Sequence, residues 1–124
     1  MRIWVGPGAT LLVGPRTSIG DRCIINVATS VIIGPATQIS WEVQILDTDF
    51  HRITSEGGEV RPHRAPISIG THVLIGTRAM VLKGVSVEDG AVVAAGAIVT
   101  RDVKARSIVA GNPAASVGRA ADWA

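Results

Sequence analysis

Residues 47 to 66 read DTDFHRITSEGGEVRPHRAP and carry two of the chain's three histidines, His51 and His63. Imidazole titrates near neutrality, so His51 has the chemistry of a general base or acid at physiological pH. Asp49 stands two places earlier. In an extended segment the two side chains point the same way, and the carboxylate can orient the ring or stabilise its charge. The competing reading makes Asp47-Thr48-Asp49 a turn bonded to its own backbone, with His51 decorating a loop. His63, between Arg61 and Arg64, reads as a solvated basic loop tip or as a group offered to a neighbouring subunit. His72 follows Gly70-Thr71 and reads as an exposed turn residue. Zinc needs three convergent ligands and an open position for water. Histidines at 51, 63 and 72 offer no short-spaced pair, and no metal is expected. The single cysteine, Cys23, excludes an internal disulfide framework and a Cys-rich zinc site.

The elements that position these residues are constrained by composition. Twelve Lys and Arg stand against ten Asp and Glu, a net charge of +2, which is no field for gripping a phosphate backbone. Three Trp, one Phe and no Tyr leave little for base stacking. No nucleic-acid partner is expected. The longest apolar stretch, around Ala91 to Val99, is broken by Gly96 and is too short to span a bilayer. The N-terminal residues lack the apolar core of a signal peptide, so the expected location is cytoplasmic, with no membrane partner.

A period of six organises the chain. Aliphatic residues recur at Ile69, Ile75, Val81, Val87, Val93 and Val99, and earlier at Val13, Ile19 and Ile25 and, two residues out of step, at Ile33, Ile39 and Ile45. Glycine often follows the anchor, and a small or β-branched residue stands four places after it, as at Thr37, Val43, Val73, Ala79 and Ala97. A helix smears such anchors round its surface and a sheet strand wants a period of two. A prism-like coil fits: each hexapeptide gives one short strand and one corner, the anchor points inward, and the following Gly permits the corner. Three hexapeptides close a coil of about 18 residues, and stacked coils pair as parallel ladders. The prediction is an all-β parallel β-helix of about four to five coils over residues 1 to 113, interrupted by one long excursion at about 47–66. A short tail or helix is expected over 114 to 124. The narrow interior accounts for the missing aromatics, and Trp4 and Trp123 read as covers for the two ends of the stack.

Residues Ile67 to Ala114, together with the Asp-x-His start of the excursion, the run Ile98-Val99-Thr100-Arg101-Asp102-Val103 and the tail Gly111-Asn112-Pro113-Ala114, resemble the hexapeptide-repeat acyltransferases. The nearest branch is similar to the maltose, galactoside and polysaccharide O-acetyltransferases. The resemblance implies a left-handed coil, a homotrimer, and transfer of an acetyl group from acetyl-CoA to a hydroxyl of a sugar or small molecule in a ternary complex. It matches His51 to the family's catalytic base, with Asp49 beside it. It carries the acetyl-CoA contacts to Thr77, Ala95 and Thr100, and a phosphate-facing cation to Arg101. Asn26 matches an acceptor-pocket asparagine, and Phe50 is the aromatic face nearest His51. The family continues after Gly-Asn-Pro-Ala with a basic residue where this chain has Ala115, and Arg119 is the nearest substitute if a short helix swings it back. Cys23 reads as a small interior residue, not a nucleophile. Two other readings share the architecture: a β-helix scaffold without activity, and a γ-carbonic anhydrase-like metal protein.

Overall fold

A computed structural model describes residues 1–124. Fifteen short strands build three sheets, parallel throughout except for the last strand, that form the faces of a prism. The first face stacks β1 (Arg2–Val5), β4 (Ile24–Val27), β7 (Gln44–Leu46), β10 (Met80–Leu82) and β13 (Ile98–Val99). The second stacks β2 (Thr10–Val13), β5 (Ser30–Ile33), β8 (Ile67–Ile69) and β11 (Ser86–Val87), with Val103 bridging to Val87. The third stacks β3 (Ser18–Ile19), β6 (Gln38–Ile39), β9 (Leu74–Ile75), β12 (Val92–Val93), β14 (Ser107–Gly111) and β15 (Ala114–Arg119). The chain passes from face to face in order, so the stack is a parallel β-helix of about five coils, consistent with the left-handed winding that the resemblance implies.

The period of six follows from what the prism interior admits. Every anchor from Ile25 to Val99 is buried, as are Cys23, Val43, Val73, Val85 and Val103 at the positions four further on. Burying a Val or Ile side chain contributes about 1.5–3 kcal/mol. Thr37 is buried because its hydroxyl is used twice, donating to the Gly70 carbonyl at 3.0 Å and accepting from the Val73 amide at 3.1 Å. In the first coil Val5 and Val13 remain 44% and 45% exposed, since only the second coil packs against them.

Glycine after the anchor has a different cause from the expected one. Gly14, Gly20, Gly34, Gly70 and Gly76 are not in the left-handed region; the residues two places later are, namely Arg16, Arg22, Ala36, His72 and Arg78, at φ between 54° and 62°. What excludes a side chain after the anchor is the next coil. A Cβ on Gly34 would lie 2.5 Å from the Gly70 carbonyl oxygen, and one on Gly76 would lie 2.5 Å from the Ala95 nitrogen.

The excursion leaves the first face after Leu46 and returns at Ile67 as an antiparallel arm. Thr48 bridges Arg64 and Thr54 bridges Val60, and the Ser55 amide donates to the Glu59 carbonyl at 2.8 Å around the tip. The root is fixed by Asp47, which is fully buried. Its carboxylate accepts from the Ala28, Thr29 and Ser30 amides at 2.6, 2.8 and 2.9 Å. Ala28 and Thr29 turn a corner of the second coil and Ser30 opens β5, and the carboxylate one coil away satisfies their amides.

The expected C-terminal helix does not form. Residues Ala114–Arg119 make β15, which runs antiparallel to β14. The turn at Asn112-Pro113 reverses the chain, and the last strand finds the open edge of the third face, where its amides gain partners that a short isolated helix would lack. Beyond it, the Trp123 ring stacks on His72 with centroids 3.9 Å apart, and its indole N–H donates to the His72 carbonyl at 2.8 Å.

Candidate active site

His51 lies at the root of the arm, exposed, with Nδ1 3.3 Å from the Asp49 carbonyl oxygen. A carbonyl only accepts, so a hydrogen bond here has Nδ1 as its donor, and in the neutral ring that leaves the Nε2 lone pair free. The sequence assigned the orienting role to the Asp49 carboxylate; instead the backbone of Asp49 meets the ring. The carboxylate turns to the Lys83 ammonium, Oδ2 to Nζ 2.9 Å. The arm is not a single extended strand at this point, because Phe50 between the two residues has φ 61°. That left-handed residue breaks the alternation that would have aligned the two side chains. It is the only positive-φ residue with a side chain that does not sit at a coil corner, a costly conformation for an aromatic residue. The Thr48 hydroxyl accepts the Phe50 N–H at 2.9 Å and holds it there.

Phe50 packs against Trp4, ring centroids 5.7 Å apart and tilted by 49°. Trp4 is therefore not a cover for the end of the stack. Within β1 its neighbours Ile3 and Val5 pair with the inward Ile25 and Val27, whereas Trp4 pairs with Asn26 and Asn26 with Leu46. Alternation puts Trp4, Asn26 and Leu46 in one line on the outer surface of the first face, ending where the arm departs. Both aromatic rings keep about half of their surface open, Trp4 44% and Phe50 51%. Asn26 is half-buried beside them.

The candidate acetyl-CoA residues fall on two corners. Thr77 and Ala95 stand on the corner between the third and first faces, in successive coils, where the Thr77 hydroxyl donates to the Trp41 carbonyl at 2.9 Å and its carbonyl accepts from Gly96 at 2.9 Å. Thr100 and Arg101 follow β13, on the corner from which the arm springs two coils earlier. Two residues, Ile98 and Val99, separate the two corners in the fifth coil. Arg101 shares a groove with Lys104 and Arg119, floored by Val109, Ala114 and Ala115. Arg119 reaches this place on a strand, opposite Ser107, and not on a helix. Three cations thus converge at the C-terminal end of the stack.

The remaining histidines are engaged elsewhere. The His63 carbonyl accepts the Asp49 N–H at 2.7 Å. His72 is no bare turn residue: besides Trp123 it has the Asp122 carboxylate 3.2 Å from Nε2. No three His, Cys, Asp or Glu side chains of the chain are grouped to hold a metal ion. Cys23 is buried with Sγ 3.0 Å from the Ser40 carbonyl, closed to any substrate. Sequence reading missed Lys83 and the outward line of Trp4. The second was legible in principle, since carrying the register of Asn26 back one coil places Trp4 beside it.

The family described as the hexapeptide repeat of succinyl-transferase matches residues 66–101. That match falls on the repeats of the third to fifth coils. The chain is 39% identical over 101 residues to serine acetyltransferase 2 of Arabidopsis thaliana, a match that covers 81% of this chain and 30% of that protein. Among solved structures it is similar to the polySia-specific acetyltransferase NeuO, with TM-score 0.89 and 32% identity over 95% of this chain and 56% of that one. It is also similar to a hexapeptide-repeat-containing acetyltransferase of Vibrio cholerae complexed with acetyl coenzyme A, with TM-score 0.80 and 25% identity over 97% and 66% of the two chains. Relatives and structural neighbours alike are named acetyltransferases of the hexapeptide-repeat type. The chain spans less than a third of the curated relatives it matches first.

Proposed function

We propose that this protein is an O-acetyltransferase that moves the acetyl group of acetyl-CoA to a hydroxyl of a sugar or other small acceptor, with His51 as general base. The observation that carries the reading is the placement of the His51 ring: Nδ1 lies 3.3 Å from the Asp49 carbonyl oxygen, and with Nδ1 as the donor Nε2 of the neutral ring is the proton acceptor, at an exposed site beside an open aromatic pair. Nε2 takes the acceptor's hydroxyl proton as its oxygen attacks the thioester carbonyl; the tetrahedral intermediate collapses, the C–S bond breaks, and the imidazolium returns the proton to the departing thiolate. Trp4 and Phe50 offer an apolar wall to a pyranose face, and the Asn26 amide can donate to and accept from its hydroxyls. The neighbour solved with acetyl-CoA supports the donor. Arg101, Lys104 and Arg119 suit the donor's phosphates, arginine as a bidentate fork.

A homotrimer belongs to the same reading. Thr77 and Ala95 lie across the first face from His51 within one chain, whereas a neighbouring copy facing the arm would bring one subunit's base to another's donor corner. Phe50, Ile53 and Val60 are 51%, 61% and 58% exposed on the arm, which gives such a neighbour apolar surface to cover.

His51→Ala is expected to lower kcat by roughly 10²-fold or more while leaving acetyl-CoA binding intact. Steady-state kinetics with an acceptor panel, together with calorimetric titration of acetyl-CoA, measures both. An unchanged rate removes His51 from the chemistry, and absence of acetyl-CoA binding to the wild type favours a scaffold without activity.

A further inference from the structure

We propose that Lys83 is a positioning residue for His51, acting through Asp49; the proposal rests on the reading of His51 as the base. Leu46 pairs with Leu82 across the stacked coils, so Lys83 occupies in the fourth coil the place that Asp47, the root of the arm, occupies in the third. From there its ammonium reaches Asp49 Oδ2 at 2.9 Å, with the two side chains 32% and 35% exposed. Asp49 is then fixed at three points. Its N–H donates to the His63 carbonyl at 2.7 Å, its carboxylate is held by Lys83, and its carbonyl faces His51 Nδ1 at 3.3 Å. The last contact sets the tautomer, and it is long, so a small rotation of the Asp49 peptide removes it. Lys83 also draws the Asp49 carboxylate to itself through Oδ2. Without the ammonium, the carboxylate is free to take the Nδ1 proton's hydrogen bond itself and turn the imidazole away from the acceptor.

Lys83 is not what holds the arm in place. Asp47 captures three amides at the root, and Thr48 bridges Arg64 independently of the ion pair. A half-exposed pair of this kind contributes little to stability. Loss of Lys83 is therefore read in kcat and in the state of His51, not in folding.

The test compares Lys83→Met, Lys83→Arg, Asp49→Asn and the double variant Lys83→Met/Asp49→Asn in the full chain. Lys83→Met is expected to reduce kcat by about tenfold, with KM for acetyl-CoA within about twofold of wild type. Lys83→Arg, which keeps the cation, restores most of the rate. The double variant is expected to be no worse than the poorer single one, since both break one link. Nitrogen-15 spectra of labelled histidine, assigned with His51→Ala, are expected to show the Nδ1-protonated tautomer in the wild type and a mixture in Lys83→Met. Should Lys83→Met fold poorly, Asp49→Asn reports on the same link. Wild-type kcat and an unchanged His51 tautomer in Lys83→Met overturn the proposal while leaving the base intact. Full activity in His51→Ala overturns the reading on which it stands.

Discussion

Asp47 illustrates how a residue that does no chemistry decides where the chemistry stands. Its carboxylate is fully buried and bonded to three backbone amides of the coil before it, so the arm leaves the prism at one fixed angle. Asp47→Ala takes the acceptor from those amides in a part-buried corner, at about 1–3 kcal/mol for each one left unsatisfied. The expected result is a loss of at least about 2 kcal/mol in denaturant unfolding, with kcat falling further than KM because His51 loses its mount. Asp-Thr-Asp was legible in the sequence as a turn motif, but not which backbone it would serve. Residue types announce donors and acceptors; a partner nineteen positions away is announced only by the stacking of coils. The same limit hid Lys83, a plain surface lysine by composition whose role comes from the register of β7 against β10.

At the scale of elements, the spacing of anchors was enough to place nearly every inward residue from Ile25 to Val103, because one hexapeptide is one strand and one corner. The C-terminal segment escaped this logic. Ala114 to Arg119 carries no hexapeptide signal, and its conformation is set by the open edge it meets, not by its own preferences. Corners carry their own electrostatics. Glu42 pairs with Arg22 at 3.0 Å and with Arg78 at 3.1 Å, a ladder across three successive coils. Its hydrogen bonds to Arg22 and then to Arg78 hold its carboxyl below the usual carboxylate range. A depressed carboxyl stabilises the fold above its unfolded value and ceases to do so as pH falls through the folded one. Glu42→Gln is therefore expected to cost a little stability at neutral pH and nothing once both forms are protonated. Thermal melts at falling pH test this, and the difference should also shrink with added salt, because the ladder is exposed.

For the molecule as a whole, the corner of Thr77 and Ala95 and the arm that carries His51 lie on opposite borders of the first face, so the proposed reading calls for a second copy to complete the site. Light scattering is expected to give three times the chain mass, and dilution to the monomer should abolish activity before it unfolds the chain. A monomer that turns over at full rate would require donor and acceptor to meet on one chain. The coil and the likeness to acetyltransferases were readable from repeats and from a few short motifs. The aromatic pair beside His51 was not, because it joins Trp4 on the first coil to Phe50 on the arm, residues remote in sequence that only the folded prism brings together.

The arm also says something about what the fold can accommodate. It separates Ile33 from its ladder partner Ile69 by about twice the usual coil length, yet the strands on either side stay in register. Closure entropy grows with the logarithm of the bridged length, so a doubling costs only about 0.6 kcal/mol. An insertion at that corner is thus nearly free for the scaffold, while every added or removed residue reshapes the wall beside His51. Substrate preference can drift there without the stack having to be rebuilt.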